Sequence, residues 1–238
     1  MPIWWWKTVP DLIAAWSGPR NLSTAMMYAF ATRGDCAVQD EPFYAPFLAR
    51  TGLGHPMRDT ILARHETDPA QVVAGFDGGL TYLKLMAHHM KGMPLDWAHG
   101  ARHLHLIRHP ARVIASYTAK RERPSLDDIG FPQQRALFDR FGGVILDSAD
   151  IRADPAGILS RACAALGLPY TDRMLEWPSG GHPSDGVWAA HWYGAVHAST
   201  GFADPEGPLP VLTGDATKLL ERALPIYEDL YAQRLTPE

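Results

Sequence analysis

Residues 12 to 24 read Leu12-Ile13-Ala14-Ala15-Trp16-Ser17-Gly18-Pro19-Arg20-Asn21-Leu22-Ser23-Thr24, and the fold turns on this passage. Leu12–Trp16 is a short apolar run of the kind a strand takes when both of its faces are buried. Ser17-Gly18-Pro19 breaks regular structure. From Ser23 to Thr32 the sequence favours a helix, with Met26, Met27 and Phe30 at spacings that share a face, and Gly34 stops it. A loop that leaves a buried strand and enters a helix presents unpaired backbone N–H groups and the positive end of the helix dipole. Ser23 and Thr24 add hydroxyls there, and Arg20 adds a planar cation suited to phosphate or sulfate oxygens. The plainer alternative, a helix merely capped by Asn21 or Ser23, is worth about 1 kcal/mol and leaves Arg20 unexplained.

Outward from this passage, strand character returns at Cys36–Gln39, Thr81–Met86, His103–Ile107 and Val144–Leu146. Helices are expected at 23–32, 111–121, 133–141, 154–166, 187–197 and 217–231, with short helical pieces near Ile61 and Gln71; Pro110 is pre-set for the first turn of the second. Short apolar strands alternating with helices predict a three-layer α/β domain with a mostly parallel central sheet. In such sheets ligands sit where the loops leave the carboxyl ends of strands. Arg20-Asn21, Glu41, His88-His89 and Arg108-His109 each follow a predicted strand, which points to one site assembled from four loops.

At 238 residues, 46% hydrophobic and 20% charged, with no linker, repeat or low-complexity tract, the chain reads as a single domain over 1–238. A net charge of −4 argues against a nucleic-acid binder, so an anionic ligand must be held by local cations. Cys36 and Cys163 alone do not make a disulfide scaffold, and a reducing, cytoplasmic setting is expected. No apolar run approaches the roughly 18 residues of a membrane span, and Ile3-Trp4-Trp5-Trp6 is too short for a signal-peptide core. Those tryptophans are read as packing, with a sticky interface as the alternative; homo-oligomerisation stays open. His103, His105 and His109 alternate, but no H-E-x-x-H or paired C-x-x-C spacing is present and no metal is expected.

The common nucleotide loop is G-x-x-x-x-G-K-[ST], and with Ser23 and Thr24 at its end Leu22 stands where the lysine belongs. Pro19-Arg20-Asn21-Leu22-Ser23-Thr24 instead resembles the P-[KR]-S-G-T-T loop of sulfotransferases that use 3′-phosphoadenosine 5′-phosphosulfate (PAPS), Asn21 and Leu22 replacing the usual Ser-Gly. Arg108-His109-Pro110-Ala111-Arg112-Val113-Ile114-Ala115-Ser116 resembles the family's second motif, R-[DN]-P-x-x-V-x-x-S, with His109 as the departure. The resemblance, closest to small bacterial members, implies a P-loop nucleoside triphosphate hydrolase-like fold. It also implies that Pro19, Arg20, Asn21, Leu22, Ser23 and Thr24 hold the phosphosulfate while Arg108 and Ser116 hold the 3′-phosphate.

Transfer of a sulfuryl group to a hydroxyl, or an amine, of a small molecule needs a base for the acceptor's proton. Glu41 is one candidate, placed where similar bacterial sulfotransferases carry a catalytic glutamate, with Asp40 read as solvated or as a turn cap. His88 or His89 is the other, on the expectation that two adjacent strand residues cannot point the same way. Lys84 either touches the sulfate or bridging oxygen or reaches to solvent. Trp188 and Trp192 are expected on one helix face, as core more than as substrate wall, and His197–Phe202 could close over the nucleotide. The rivals are a metal-dependent kinase of a small metabolite, which Leu22 disfavours, and a non-catalytic nucleotide-binding domain.

Overall fold

The computed structural model describes residues 10–76, 78–119 and 123–236; Trp4–Trp6 lie outside the described residues. Five strands, β1 (Leu12–Ser17), β2 (Ala37–Asp40), β3 (Thr81–Met86), β4 (Arg102–Ile107) and β5 (Val144–Asp147), form one sheet in the order β2-β3-β1-β4-β5. Every pairing is parallel. The helices are α1 (Ser23–Ala31), α2 (Tyr44–Thr51), α3 (Arg58–Arg64), α4 (Pro69–Ala74), α5 (Pro110–Thr118), α6 (Phe131–Phe141), α7 (Ser148–Ala153), α8 (Pro155–Ala165), α9 (Ala189–Trp192), α10 (Gly194–His197) and α11 (Asp215–Tyr231).

Strand alternation sorts the core into layers. Ile13 and Ala15 of β1 face one side with Leu104 and Leu106 of β4, where Met26, Met27 and Phe30 of α1 and Ile158 and Leu159 of α8 cover them. Leu12, Ala14 and Trp16 face the other side, against Phe43, Leu48, Ile61 and Leu137. A third cluster packs α11, through Leu219, Ala223, Tyr227 and Leu230, on Val113, Ile114 and Ile145. Helices on both faces of a parallel sheet make the three-layer α/β architecture. The strand-to-helix turn after the central first strand gives it the P-loop-like form.

Several elements differ from the sequence expectation. Helix α2 occupies a stretch to which the sequence reading assigned no element. The helix expected over 187–197 is broken: Tyr193 separates α9 from α10 at φ −100°, ψ 11°. Trp188 and Trp192 fall before the break, one turn apart with Trp192 N donating to the Trp188 carbonyl at 3.1 Å, and pack in the same core cluster; Trp188 is buried there, and Trp192 also lines the cavity described below. His88 and His89 lie on a 3₁₀ turn, Ala87–Met90, not on a strand, and both line that cavity. Among the described residues no helix is long and apolar enough to cross a membrane.

The three alternating histidines each serve the fold. His103 Nδ1 accepts from Trp16 Nε1 at 3.0 Å, His105 Nε2 pairs with the Gly142 carbonyl at 2.9 Å, and His109 Nδ1 accepts from Ala111 N to cap α5. Cys36 and Cys163 are both free thiols.

Candidate active site

The sheet order places β1 between β3 and β4, so the chain leaves the centre in opposite directions after β1 and after β4 and opens a crevice at their carboxyl ends. A cavity of about 370 Å³ lies there, lined by Pro19 to Ala25 after β1, Glu41 after β2, Lys84, Met86, His88 and His89 at β3, and Arg108 and Ser116 at β4. The four strand ends thus meet in one site.

Helix α1 starts at this cavity with Leu22 at its N-cap, in the left-handed region (φ 61°), and no side chain caps its first turn. Arg20 is left-handed as well, at φ 65°. Two such non-glycine residues cost on the order of 1–3 kcal/mol each and mark a loop held by its surroundings. Part of that hold comes from Asn21, whose side chain, 1% exposed, donates to the Leu106 carbonyl at 3.0 Å. Asn21 is thus an anchor between loop and β4. Gly18 fixes the loop from below: a Cβ there would meet the Ile129 carbonyl oxygen at 2.6 Å.

Adjacent strands bring the two basic ends together. Arg108 Nη1 donates to the Arg20 carbonyl at 2.9 Å, and Arg20 Nε donates to Ser116 Oγ at 2.9 Å. Burial, with the neighbouring Arg108 charge, pushes the Arg20 guanidinium below its usual pKa, the signature of a cation short of anions. The remaining edge of Arg108 is taken by a carboxylate that the sequence did not flag. Glu206 accepts from Arg108 Nε at 2.8 Å and also from its Nη2, and from Arg152 Nη1 at 3.2 Å. Arg112 Nε lies 2.7 Å from the second Glu206 oxygen.

Across the cavity, Asp40 corrects the sequence expectation: it is neither solvated nor a turn cap. It accepts from Lys84 Nζ at 2.9 Å, from Tyr193 Oη at 2.8 Å and from Gly186 N at 3.0 Å, with its side chain fully buried. Burial requires such partners, and they arrive from β3, from the segment before α9 and from the turn between α9 and α10. Lys84, 1% exposed, also donates to Glu41 Oε1 at 2.6 Å and contacts the Tyr193 hydroxyl, so its three protons are all engaged inside the protein. Trp188 Nε1 donates to the same hydroxyl at 3.0 Å.

Two carboxylates therefore share one lysine. Burial alone would lower the Lys84 pKa, but Asp40 and Glu41 outweigh it and raise it. Glu41 is raised, by desolvation first and by the Asp40 charge, against the pull of Lys84. Its backbone is also left-handed, at φ 44°, held by Glu41 N donating to the Lys84 carbonyl at 2.9 Å. His89 stacks on Tyr44 and Phe47, each with centroids 4.6 Å apart, and its Nδ1 stands 3.8 Å from Glu41 Oε2. Burial and the neighbouring His88 hold His89 well below its usual pKa, so it is neutral at pH 7. The outer wall is largely aromatic, with Tyr44, Tyr117 and Trp192, and includes His55.

A family model described as "Sulfotransferase domain" matches residues 12–234. Two Arabidopsis thaliana proteins named Branched-chain-amino-acid aminotransferase-like protein 1 and 2 are 35% identical over 232 residues and 34% over 234. The alignments cover 93% and 92% of this chain but 42% and 41% of those proteins, so the chain spans about two-fifths of the length of the curated relatives it matches. Among solved structures, the chain is similar to the sulfotransferase domain of the Synechococcus PCC 7002 olefin synthase, at 17% identity and TM-score 0.49, over 95% of this chain and 96% of that one. It is also similar to a sulfotransferase domain from the curacin biosynthetic pathway, at 15% identity and TM-score 0.49, over 90% and 97%.

Proposed function

The chain belongs to the sulfotransferase domain family, and from that premise we propose that it moves a sulfuryl group from PAPS to a hydroxyl of a small molecule. One observation carries the reading: two arginine-bearing strand ends touch beside an uncapped helix N-terminus, with a desolvated glutamate across the same cavity. The donor would supply the sulfuryl group on its 5′-phosphate and a 3′-phosphate as a handle. The first-turn amides of α1, with Ser23 and Thr24, would take the 5′-phosphosulfate. Arg108 and Ser116, in reach of Arg20, would take the 3′-phosphate.

Arg20 and the helix dipole neutralise the charge that grows on the 5′-phosphate oxygen as its bond to sulfur breaks. Glu41 accepts the proton of the attacking hydroxyl. Desolvation and its raised pKa suit it to that work near neutral pH, since a base acts best when its pKa is close to the operating pH. Asp40 and Tyr193 hold Lys84, and Lys84 aims the Glu41 carboxylate. His89 is held in an aromatic stack beside the base and contributes position. Lys84 is the one lysine among the described residues lining the cavity, and its donors are engaged, which weighs against a kinase reading as Leu22 does.

Arg20→Ala is expected to abolish transfer, while Arg108→Ala chiefly raises the donor KM, by about tenfold or more, the worth of one or two charge-assisted hydrogen bonds. Steady-state kinetics with labelled PAPS and an acceptor library checks both. Unchanged constants in the two variants would remove the assignment.

A further inference from the structure

Glu206 has no part in the reading above, yet its side chain is 3% exposed among three arginines. It sits in the middle of residues 202–213, a stretch with no helix or strand between α10 and α11. Pro205, Pro208 and Pro210 stiffen this strap, and Phe202 and Ala203 on it line the cavity. The strap is tied down by the cluster itself: Arg152 Nε reaches the Ala203 carbonyl at 3.4 Å, and Arg112 donates to the Gly207 carbonyl.

The contacts of the cluster are those an anionic ligand would make. Arg108 spends its Nε and Nη2 edge on one Glu206 oxygen, and its Nη1 on the Arg20 carbonyl. Ser116 Oγ is taken by Arg20. Both residues that would hold a 3′-phosphate are therefore satisfied from within the chain, Arg108 by a carboxylate. Three guanidinium groups against one carboxylate leave the cluster with surplus positive charge. A phosphate dianion, with three acceptor oxygens, matches it better than a carboxylate does.

We propose that Glu206 is an internal counter-anion of the donor's 3′-phosphate subsite: it occupies Arg108, Arg112 and Arg152 in the free protein, is displaced when a nucleotide 3′-phosphate binds, and returns as product leaves. The idea rests on the donor reading above and adds Arg112 and Arg152 to the phosphate-binding set. Its cost is weaker donor binding, because the carboxylate must be removed first. Its benefit is that three arginines are never left facing one another unneutralised, and that the bisphosphate product meets a competitor on its way out.

The test is calorimetric titration of the full chain with adenosine 3′,5′-bisphosphate, with 5′-AMP as the ligand that lacks the displacing phosphate. In Glu206→Gln the bisphosphate is expected to bind roughly tenfold tighter, while 5′-AMP changes less than about twofold. Glu206→Asp, which keeps the charge but withdraws it by one methylene, is expected to shift bisphosphate binding in the same direction, and serves if the glutamine variant does not fold. Bisphosphate binding that is unchanged or weaker in the variants, while the unaltered chain still prefers it over 5′-AMP, overturns the counter-anion and leaves the donor reading standing. No preference for the bisphosphate in the unaltered chain or the variants overturns both.

Discussion

Glu41 stands in a left-handed backbone conformation beside a buried lysine that Asp40 also claims. Burial first, and the Asp40 charge with it, raise its pKa against the pull of that lysine, which gives the residue a defined test. The ionised form does the work, so kcat/KM should rise with pH along an acid limb whose midpoint lies above the ordinary glutamate range. Glu41→Gln is expected to lower kcat by about 10²–10⁴-fold and to abolish that limb. His89→Asn is expected to cost less and to leave the limb in place, because His89 is already neutral there. A limb that survives in the glutamine variant and vanishes in His89→Asn or His88→Asn would transfer the role to histidine. Glu41 was legible in the sequence because it follows a predicted strand. Asp40 was misread because its burial depends on Tyr193, 153 residues away, and no local pattern announces that. Glu206 was missed for the same reason: it lies on an irregular strap, 98 residues from Arg108.

At the scale of elements, strands and the helices that follow them were readable, since a buried parallel strand is an apolar run and a strand-to-helix turn carries its own punctuation. Helix α2 was not: Pro46 lies inside it, Pro42 stands just before it and no side chain caps its start, so no local signal marks it, although its apolar face covers the sheet. The loop before α1 depends on a close approach. Any side chain at residue 18 meets the Ile129 carbonyl, and backbone cannot yield as a flexible side chain does. Gly18→Ala is therefore expected to lower stability by about 1–3 kcal/mol and to weaken nucleotide binding together with it, measured by denaturant unfolding and by titration. Full stability in that variant would mean that the loop does not rest on the 125–130 segment.

Over the whole molecule, α11 closes the domain by packing on α5 and β5, and one buried acid records the fit. Asp147, at the end of β5, accepts from Ala149 N at 2.7 Å and from Tyr227 Oη of α11 at 3.0 Å. Burial raises its pKa from 3.8 to about 6. Between those values the folded chain holds a proton that the unfolded chain has released, so this group's contribution to stability falls as pH rises through the window. Asp147→Asn is expected to raise stability by up to about 3 kcal/mol above pH 6, with the gain fading below pH 4. Thermal melts across that range check it, and a gain independent of pH would refute the titration.

The same long-range order makes the site. Strand order β2-β3-β1-β4 sets the Arg20 loop against Arg108 on one flank and places Lys84 and the end of β2 on the other, a juxtaposition that motif spacing suggested and sheet topology supplies. The most direct measurement is a crystal structure of the full chain with adenosine 3′,5′-bisphosphate. We expect the 5′-phosphate on the first-turn amides of α1 and the 3′-phosphate on Arg108 and Ser116, with Glu41 facing the 5′ end. A nucleotide bound away from the ends of β1 and β4, or one whose 3′-phosphate points to solvent, would contradict the account.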